Sequence, residues 1–273
     1  MRRVEIESLY KDLDSSIEQL RRQPKSVLQA REVVESALKD GSVHYGINTG
    51  FGALANQRVG EEQLARLQRN LILSHSVGVG ELIPKEICKL ILQLKIHALG
   101  LGYSGVSIET LNRLIRFLEL DLIPAIPSKG SVGASGDLAP LAHMALPLLG
   151  LGYFWNKEGT GVAESAVELK KAKLEPIELK PKDGLSLING TQLMSGYGAA
   201  ILEKSLHLIK IADLAAAMSL EALQGSIVPF DKRIHEIRPH PGQSRVAANI
   251  RNLLKQSEIL RSHRHCGKVQ DPY

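Results

Sequence analysis

The stretch from Gly130 to Gly150 reads GSVGASGDLAPLAHMALPLLG, and its small residues Ala134-Ser135-Gly136 admit three chemistries. The first is a plain helix entry, since Gly and Ser are common ahead of an apolar run and Asp137 stands at an N-cap position. The second is an anion cradle, built from the free N–H groups of a helix start. The glycines at 130, 133 and 136 lack the G-x-G-x-x-G spacing, and no Gly-Lys-Ser/Thr follows, so nucleotide loops are disfavoured. The third is covalent. The Gly136 nitrogen attacks the Ala134 carbonyl carbon, which needs a sharply bent backbone and no side chain at the nucleophile. Loss of one water closes a five-membered ring, and loss of a second from Ser135 leaves an exocyclic C=CH2. The product, a methylidene-imidazolone, is a strong electrophile of a kind no unmodified side chain provides. The loop's own residues leave all three open.

Other residues with chemical potential are scattered. Tyr45 lies in the glycine-rich segment GSVHYGINTGFGALANQRVG, residues 41–60, which has no helical period. Long loops of this kind in compact domains are usually functional or disordered, and Val43, Tyr45, Ile47, Phe51 and Leu54 offer side chains to bury. Asn189-Gly190 by itself reads as a turn. His75 follows Ser74 near the end of a helical pattern, where a structural role is the plainer reading. His263, His265 and Cys266 in SHRHCGK lack a remote partner pair, so no metal site is expected.

The elements that must position these residues are mostly helical. Of 273 residues, 44% are hydrophobic but only 4% aromatic, with Leu, Ile and Ala dominant, a composition that favours helix over sheet. Helical periods run over residues 28–40, 61–77, 85–101, 107–121, 138–149 and 242–256. The segment 150–182 reads as a short hairpin followed by an extended connection. From Thr191 to Gln224 the chain runs apolar on most turns without a proline, and one long helix is expected there, surrounded by others including those of a partner chain. The expected fold class is mainly α, with a first domain over 1–185 carrying the loop and small β elements, and the start of a long-helix bundle over 186–273. The net charge of +5 is spread among acids, which argues against a nucleic-acid surface. No apolar run suits a membrane span. The opening MRRVEIESLYKDLD lacks the apolar centre of a signal peptide, and the distant cysteines Cys88 and Cys266 suit a reducing compartment, so a cytoplasmic location is expected.

The wider sequence chooses among the loop's readings. GSVGASGDLAPLAHMAL resembles the signature of the aromatic amino acid ammonia-lyases, the histidine ammonia-lyase family. YGINTGFG (45–52), LQRNLILSHSVGVGE (67–81), LKIHALGLGYSGV (94–106), LINGTQ (187–192), PFDKRIHEIRPHPGQ (229–243) and KVQDPY (268–273) match that family in order and approximate spacing. The resemblance implies that Ala134, Ser135 and Gly136 form the methylidene-imidazolone autocatalytically, without metal or pyridoxal phosphate, and that Ser135 supplies the methylidene carbon. It implies that Asp137 assists ring closure, that Tyr45 faces the ring in acid–base chemistry, and that Asn189 hydrogen-bonds the ring or the substrate. Gln270 and Tyr273 would approach from a neighbouring subunit of a homotetramer, with Tyr45 or Tyr273 as the β-proton base. Ser74-His75 resembles the histidine-specific members, where phenylalanine-specific ones tend to carry Phe-Leu and tyrosine-specific ones His-Leu. The implied reaction is elimination of ammonia from L-histidine to give urocanate. The alternatives are a phenylalanine or tyrosine ammonia-lyase or an aminomutase on the same ring, or a non-catalytic helical interaction fragment.

Two departures shape the expectation. His97 replaces a common asparagine. The family's Ser-x-Arg after the tyrosine, its later phenylalanine and glutamate, and its C-terminal helical half are not in these 273 residues. A truncated, proteolytic or split form with little activity alone is therefore expected, in which a complementary C-terminal chain would be a partner.

Overall fold

The computed structural model describes residues 3–40, 42–50, 57–132, 136–265 and 267. These residues are mainly helical, with two small antiparallel sheets, and the chain divides into two compact units, Met1–Ile201 and Leu202–Tyr273. The division falls inside a helix rather than near 185.

The first unit is organised around one nearly fully buried helix. α1 (Leu9–Arg22) and α2 (Lys25–Lys39) are amphipathic, and α1 buries Leu9, Leu13, Ile17 and Leu20 on one face. α3 (Glu61–His75) follows, then the strand β1 (Val79–Leu82). α4 (Lys85–Gly100) buries Ile87, Cys88, Leu90, Ile91, Leu92, Ile96 and Leu99. Residues at that many successive positions face in every direction, so α4 must be enclosed, and α1 and α5 (Ile108–Glu119) pack against it. Enclosure lifts the Cys88 thiol to about 12, chiefly through desolvation, which leaves it a packing group rather than a nucleophile.

β2 (Pro127–Lys129) pairs with β1, and this exposed pair delivers the chain to Gly130. α6 (Leu138–Ala145) was expected to reach 149. It gives way instead to a 3-10 turn over Leu146–Leu149, where Pro147 has no N–H to continue the α ladder. The expected hairpin forms from β3 (Tyr153–Trp155) and β4 (Val162–Glu164). Phe154 meets Phe117 of α5 edge to face, with centroids 5.1 Å apart. A short helix, α7 (Ser165–Lys171), lies between the hairpin and the run LEPIELKPKDG expected to be extended, and α8 (Asp183–Ile188) begins at the end of that run.

The long helix forms as α9 (Gln192–Ala222). Its start lies close against α4: a Cβ on Gly196 would sit 2.9 Å from Ile91 Cγ1. In the second unit, α10 (Lys232–Glu236), α11 (Pro241–Leu253) and α12 (Glu258–Ser262) follow, and Ala217, Ile250 and Leu254 form a small core with Leu220, Ile227, Phe230 and Leu260 around it. Ile201, Leu208, Ile209 and Met218 on α9 are each more than half exposed in this single chain.

Candidate active site

The loop from Gly130 to Asp137 is pinned at both ends by backbone that tolerates no side chain. Gly130 has φ +141°, and a Cβ there would lie 3.0 Å from the Gly78 Cα. Gly136 has φ +113° and pairs with Gly190 in an isolated parallel bridge. A Cβ on Gly136 would sit 2.2 Å from the Gly190 carbonyl oxygen, so only glycine fits. The next amide, Asp137 N–H, donates to that same oxygen at 2.7 Å. Between these anchors, Gly133, Ala134 and Ser135 lie outside the described residues.

Asp137 occupies the N-cap position of α6, as expected, but does not cap it with its side chain. The fully buried carboxylate instead accepts from Met194 N–H at 3.1 Å and from Ser131 Oγ–H at 2.8 Å. Met194 stands in the first turn of α9, whose N–H groups have no partner within the helix. The anion therefore stabilises the start of the long helix rather than its own, and ties that start to both sides of the loop.

Asn189 is the residue after α8, with extended backbone, and its N–H donates to Leu185 at 3.1 Å. Its carbonyl accepts from Lys95 Nζ at 2.8 Å. Lys95, on α4, is 1% exposed, and desolvation lowers its pKa from 10.5 to about 7. The loop carrying Tyr45 reaches the same helix: Gly46 lies so close to Leu185 of α8 that a Cβ there would be 2.2 Å from its Cδ2. Tyr45 itself is 57% exposed. The helix α8 thus joins the Tyr45 loop at one side and the Asn189–Gly190 peptide, with Gly136 against it, at its end.

His75 closes α3, which packs on α6 and α8. Its Nδ1 lies 2.9 Å from the Leu71 carbonyl and 3.1 Å from Ser74 Oγ. A carbonyl only accepts, so Nδ1 carries a proton, and in the neutral tautomer that leaves Nε2 as the acceptor. Three residues on, Gly78 N–H donates to Nε2 of His143 on α6 at 3.0 Å, and burial lowers the pKa of that imidazole. This bond docks the end of α3 onto the helix that follows the loop. Gln270, Tyr273 and Cys266 lie outside the described residues, and His265 is exposed. No group of three or more His, Cys, Asp or Glu among the described residues is placed to hold a metal ion, and no described helix is long and apolar enough to cross a membrane.

Sequence reasoning missed Lys95. Its signal lay in LILQLKIHALG, where apolar residues on every side leave the lysine no exposed face. Asp183 was missed as well. It is fully buried and accepts from Ser107 N and Oγ, both at 2.7 Å, and from Thr110 Oγ1 at 2.8 Å, locking α5 to α8.

Fold and site together define a mainly helical protein whose candidate site is a main-chain loop held between helix ends. The model of the family described as aromatic amino acid lyase matches residues 5–273, and the chain belongs to that family. It is 48% identical over 244 residues to a histidine ammonia-lyase from Legionella pneumophila, covering 89% of this chain and 48% of that protein. The crystal structure of histidine ammonia-lyase from Trypanosoma cruzi is similar with a TM-score of 0.78 and 36% identity, over 88% of this chain and 46% of that one. Tyrosine aminomutase from Streptomyces globisporus is similar with a TM-score of 0.78 and 35% identity, over 91% of this chain and 49% of that one. The chain spans about half the length of each of these proteins.

Proposed function

We propose that this chain carries the electrophile-forming part of an ammonia-lyase that converts L-histidine to urocanate. The observation that carries the reading is Gly136. Its backbone is held where a Cβ would strike the Gly190 oxygen, as suits a residue whose bare nitrogen must approach the Ala134 carbonyl carbon. Closure expels the Ala134 carbonyl oxygen as water with the amide hydrogens of Gly136 and Ser135. A second water then takes the Ser135 hydroxyl and α-hydrogen. The residues present therefore fit a methylidene-imidazolone, which supplies an electrophilic carbon toward the substrate.

The remaining roles fall to the chain's own side chains. Asp137 and the Gly190 carbonyl hold Gly136 in place. Asn189 hydrogen-bonds the ring or substrate, and Gln270 contributes to substrate binding. Tyr45 or Tyr273 removes the weakly acidic β-hydrogen, a step that needs a positioned base. His75 supports histidine as substrate, because an imidazole protonated at Nδ1 alone can accept the N–H of a second imidazole at Nε2, whereas a phenyl ring offers no donor. We place the reaction in the cytoplasm and assign its sites to a homo-oligomer.

A tyrosine or phenylalanine lyase or aminomutase is the second reading, since the fold matches tyrosine aminomutase as well as it matches histidine ammonia-lyase. Intact mass tests the ring: a deficit of about 36 Da, two waters, is expected, and an unmodified mass overturns the reading. In an assembly that turns over, His75→Leu should lower kcat/KM for L-histidine about tenfold or more, as expected for one lost hydrogen bond in a desolvated site. Unchanged kcat/KM for L-histidine would remove His75 as the support for histidine, and turnover of tyrosine or phenylalanine in its place would favour the second reading.

A further inference from the structure

Lys95 is a costly residue in its place. It sits midway along α4, the most enclosed helix of the first unit, and is 1% exposed. An ammonium taken out of water without a counter-ion is strongly disfavoured, and desolvation is the cause of its lowered pKa. A leucine or methionine would fill the same space at no such cost, so packing alone does not account for a lysine.

What a leucine cannot do is donate. The Lys95 Nζ hydrogen bond ends on the Asn189 carbonyl at 2.8 Å. The next residue along the chain is Gly190, whose carbonyl accepts from Asp137 N–H at 2.7 Å and whose backbone pairs with Gly136. Gly190 has φ +143°, so its own conformation adds little stiffness to the peptide it shares with Asn189. A fixed donor from the middle of a rigid helix supplies the missing constraint. One bond from α4 therefore sets the plane of the Asn189–Gly190 peptide, and Gly190, whose own carbonyl lies in the next peptide, carries that placement on to Gly136 and Asp137.

We propose that Lys95 is a positioning residue: by donating to the Asn189 carbonyl it holds the Asn189–Gly190 peptide, and with it Gly136, in the geometry that ring closure requires. The closure step rests on the function proposed above, while the positioning does not. Among the described residues, the Lys95 hydrogen bond goes to the Asn189 carbonyl and not to Gly136. It acts through one carbonyl and one peptide.

The test uses the 273-residue chain with two variants. Lys95→Met keeps the length and apolar body and removes the donor; Lys95→Gln keeps a donor without charge. Three quantities are read: amide exchange at Asp137, urea stability, and the time course of water loss by intact mass. Lys95→Met should exchange the Asp137 amide about tenfold faster and slow ring formation by a similar factor, with overall stability equal or higher at pH 6. Lys95→Gln should restore most of both. Parent-like exchange at Asp137 in Lys95→Met overturns the proposal, as does a folded Lys95→Gln that behaves no better than Lys95→Met. If Lys95→Met does not fold, Lys95→Gln decides alone: retained Asp137 protection supports the role of the donor, and its selective loss overturns it. If the parent chain shows no water loss, the proposed function fails, yet the exchange data still decide whether Lys95 holds the loop.

Discussion

The two compact units solve the same packing problem with unequal means. In Met1–Ile201, α4 is enclosed over most of its length, and fully buried Leu90, Ile91, Leu92, Ile96, Leu111 and Leu114 belong to one continuous core. Among the described residues of Leu202–Tyr273, Ala217, Ile250 and Leu254 form the core cluster, while Leu223, Val228 and Ile237 are each exposed by two thirds or more. Full burial of such a side chain contributes about 1.5–3 kcal/mol, so the first unit has a large reserve and the second a thin one. The difference teaches where chemistry can be placed. A buried carboxylate such as Asp137 and a lysine such as Lys95, with no counter-ion among the described residues, each cost several kcal/mol, and only a unit with surplus burial can carry both. Every described anchor of the loop, from Gly78 to Met194, lies in the richer unit.

Gly136→Ala should produce the largest effect and sharpen this contrast. The new Cβ must displace the Gly190 carbonyl, breaking the bond from Asp137 N–H, and the backbone must leave φ +113°. Strain and the lost bond together predict about 3 kcal/mol or more of destabilisation, with no water loss by mass. Amide exchange should rise around 136–137 and 190–194 while α11 in the second unit exchanges as in the parent. Equal loosening of α11 would show that the two units do not open separately.

The second test compares one deletion in each core. Leu92→Ala, at a fully buried position of α4, should cost about 3–5 kcal/mol, because enclosed helices cannot collapse onto the cavity. Leu254→Ala, 5% exposed beside a loose cluster, should cost about 2 kcal/mol or less. Urea unfolding followed by circular dichroism checks both. Equal costs would mean that the second unit is packed as firmly as the first.

What the sequence made legible follows the same division of labour between local and distant causes. The period of apolar residues marked α2, α3, α4, α5, α9 and α11, and the glycines of LGYFWNKEGTGV marked the hairpin, because these signals act within a turn or two. The short helices α7 and α8 escaped, since six or seven residues carry too little period and their helicity comes from packing. Asp137 shows the limit most clearly. Its identity suggested a cap and its position suggested α6, but its partner is an amide at Met194. Sequence proximity names a capping residue and cannot name the helix it caps when two helix starts converge. Glycine at 136 was legible as a requirement of ring closure, whereas the Gly190 carbonyl that enforces it was not. Lys95 was hidden because a lysine in a helix is normally read as surface.

The smallest single effect, at Ser257, comes from a device used in both units, a serine N-cap. Ser107 accepts from Thr110 N–H at 3.3 Å at the start of α5, and Ser257 accepts from Leu260 N–H at 3.0 Å at the start of α12. By distance alone Ser257 is the better cap, so Ser257→Ala would be the more damaging change if capping were the whole account. Ser107 also donates its hydroxyl to buried Asp183 at 2.7 Å, and its removal leaves a carboxylate lone pair without that donor in a region closed to water. Ser107→Ala should therefore cost about 2–3 kcal/mol, a lost cap plus a lost charge-assisted bond. Ser257→Ala should cost about 1 kcal/mol or less, because water can reach the freed amide at the end of a short, exposed helix. Thermal midpoints of the two variants give the order directly. A larger loss at Ser257 would mean that the thinner unit depends on its helix caps more than the buried unit depends on its carboxylates, and the argument that surplus burial carries the polar cost of the loop would fail with it.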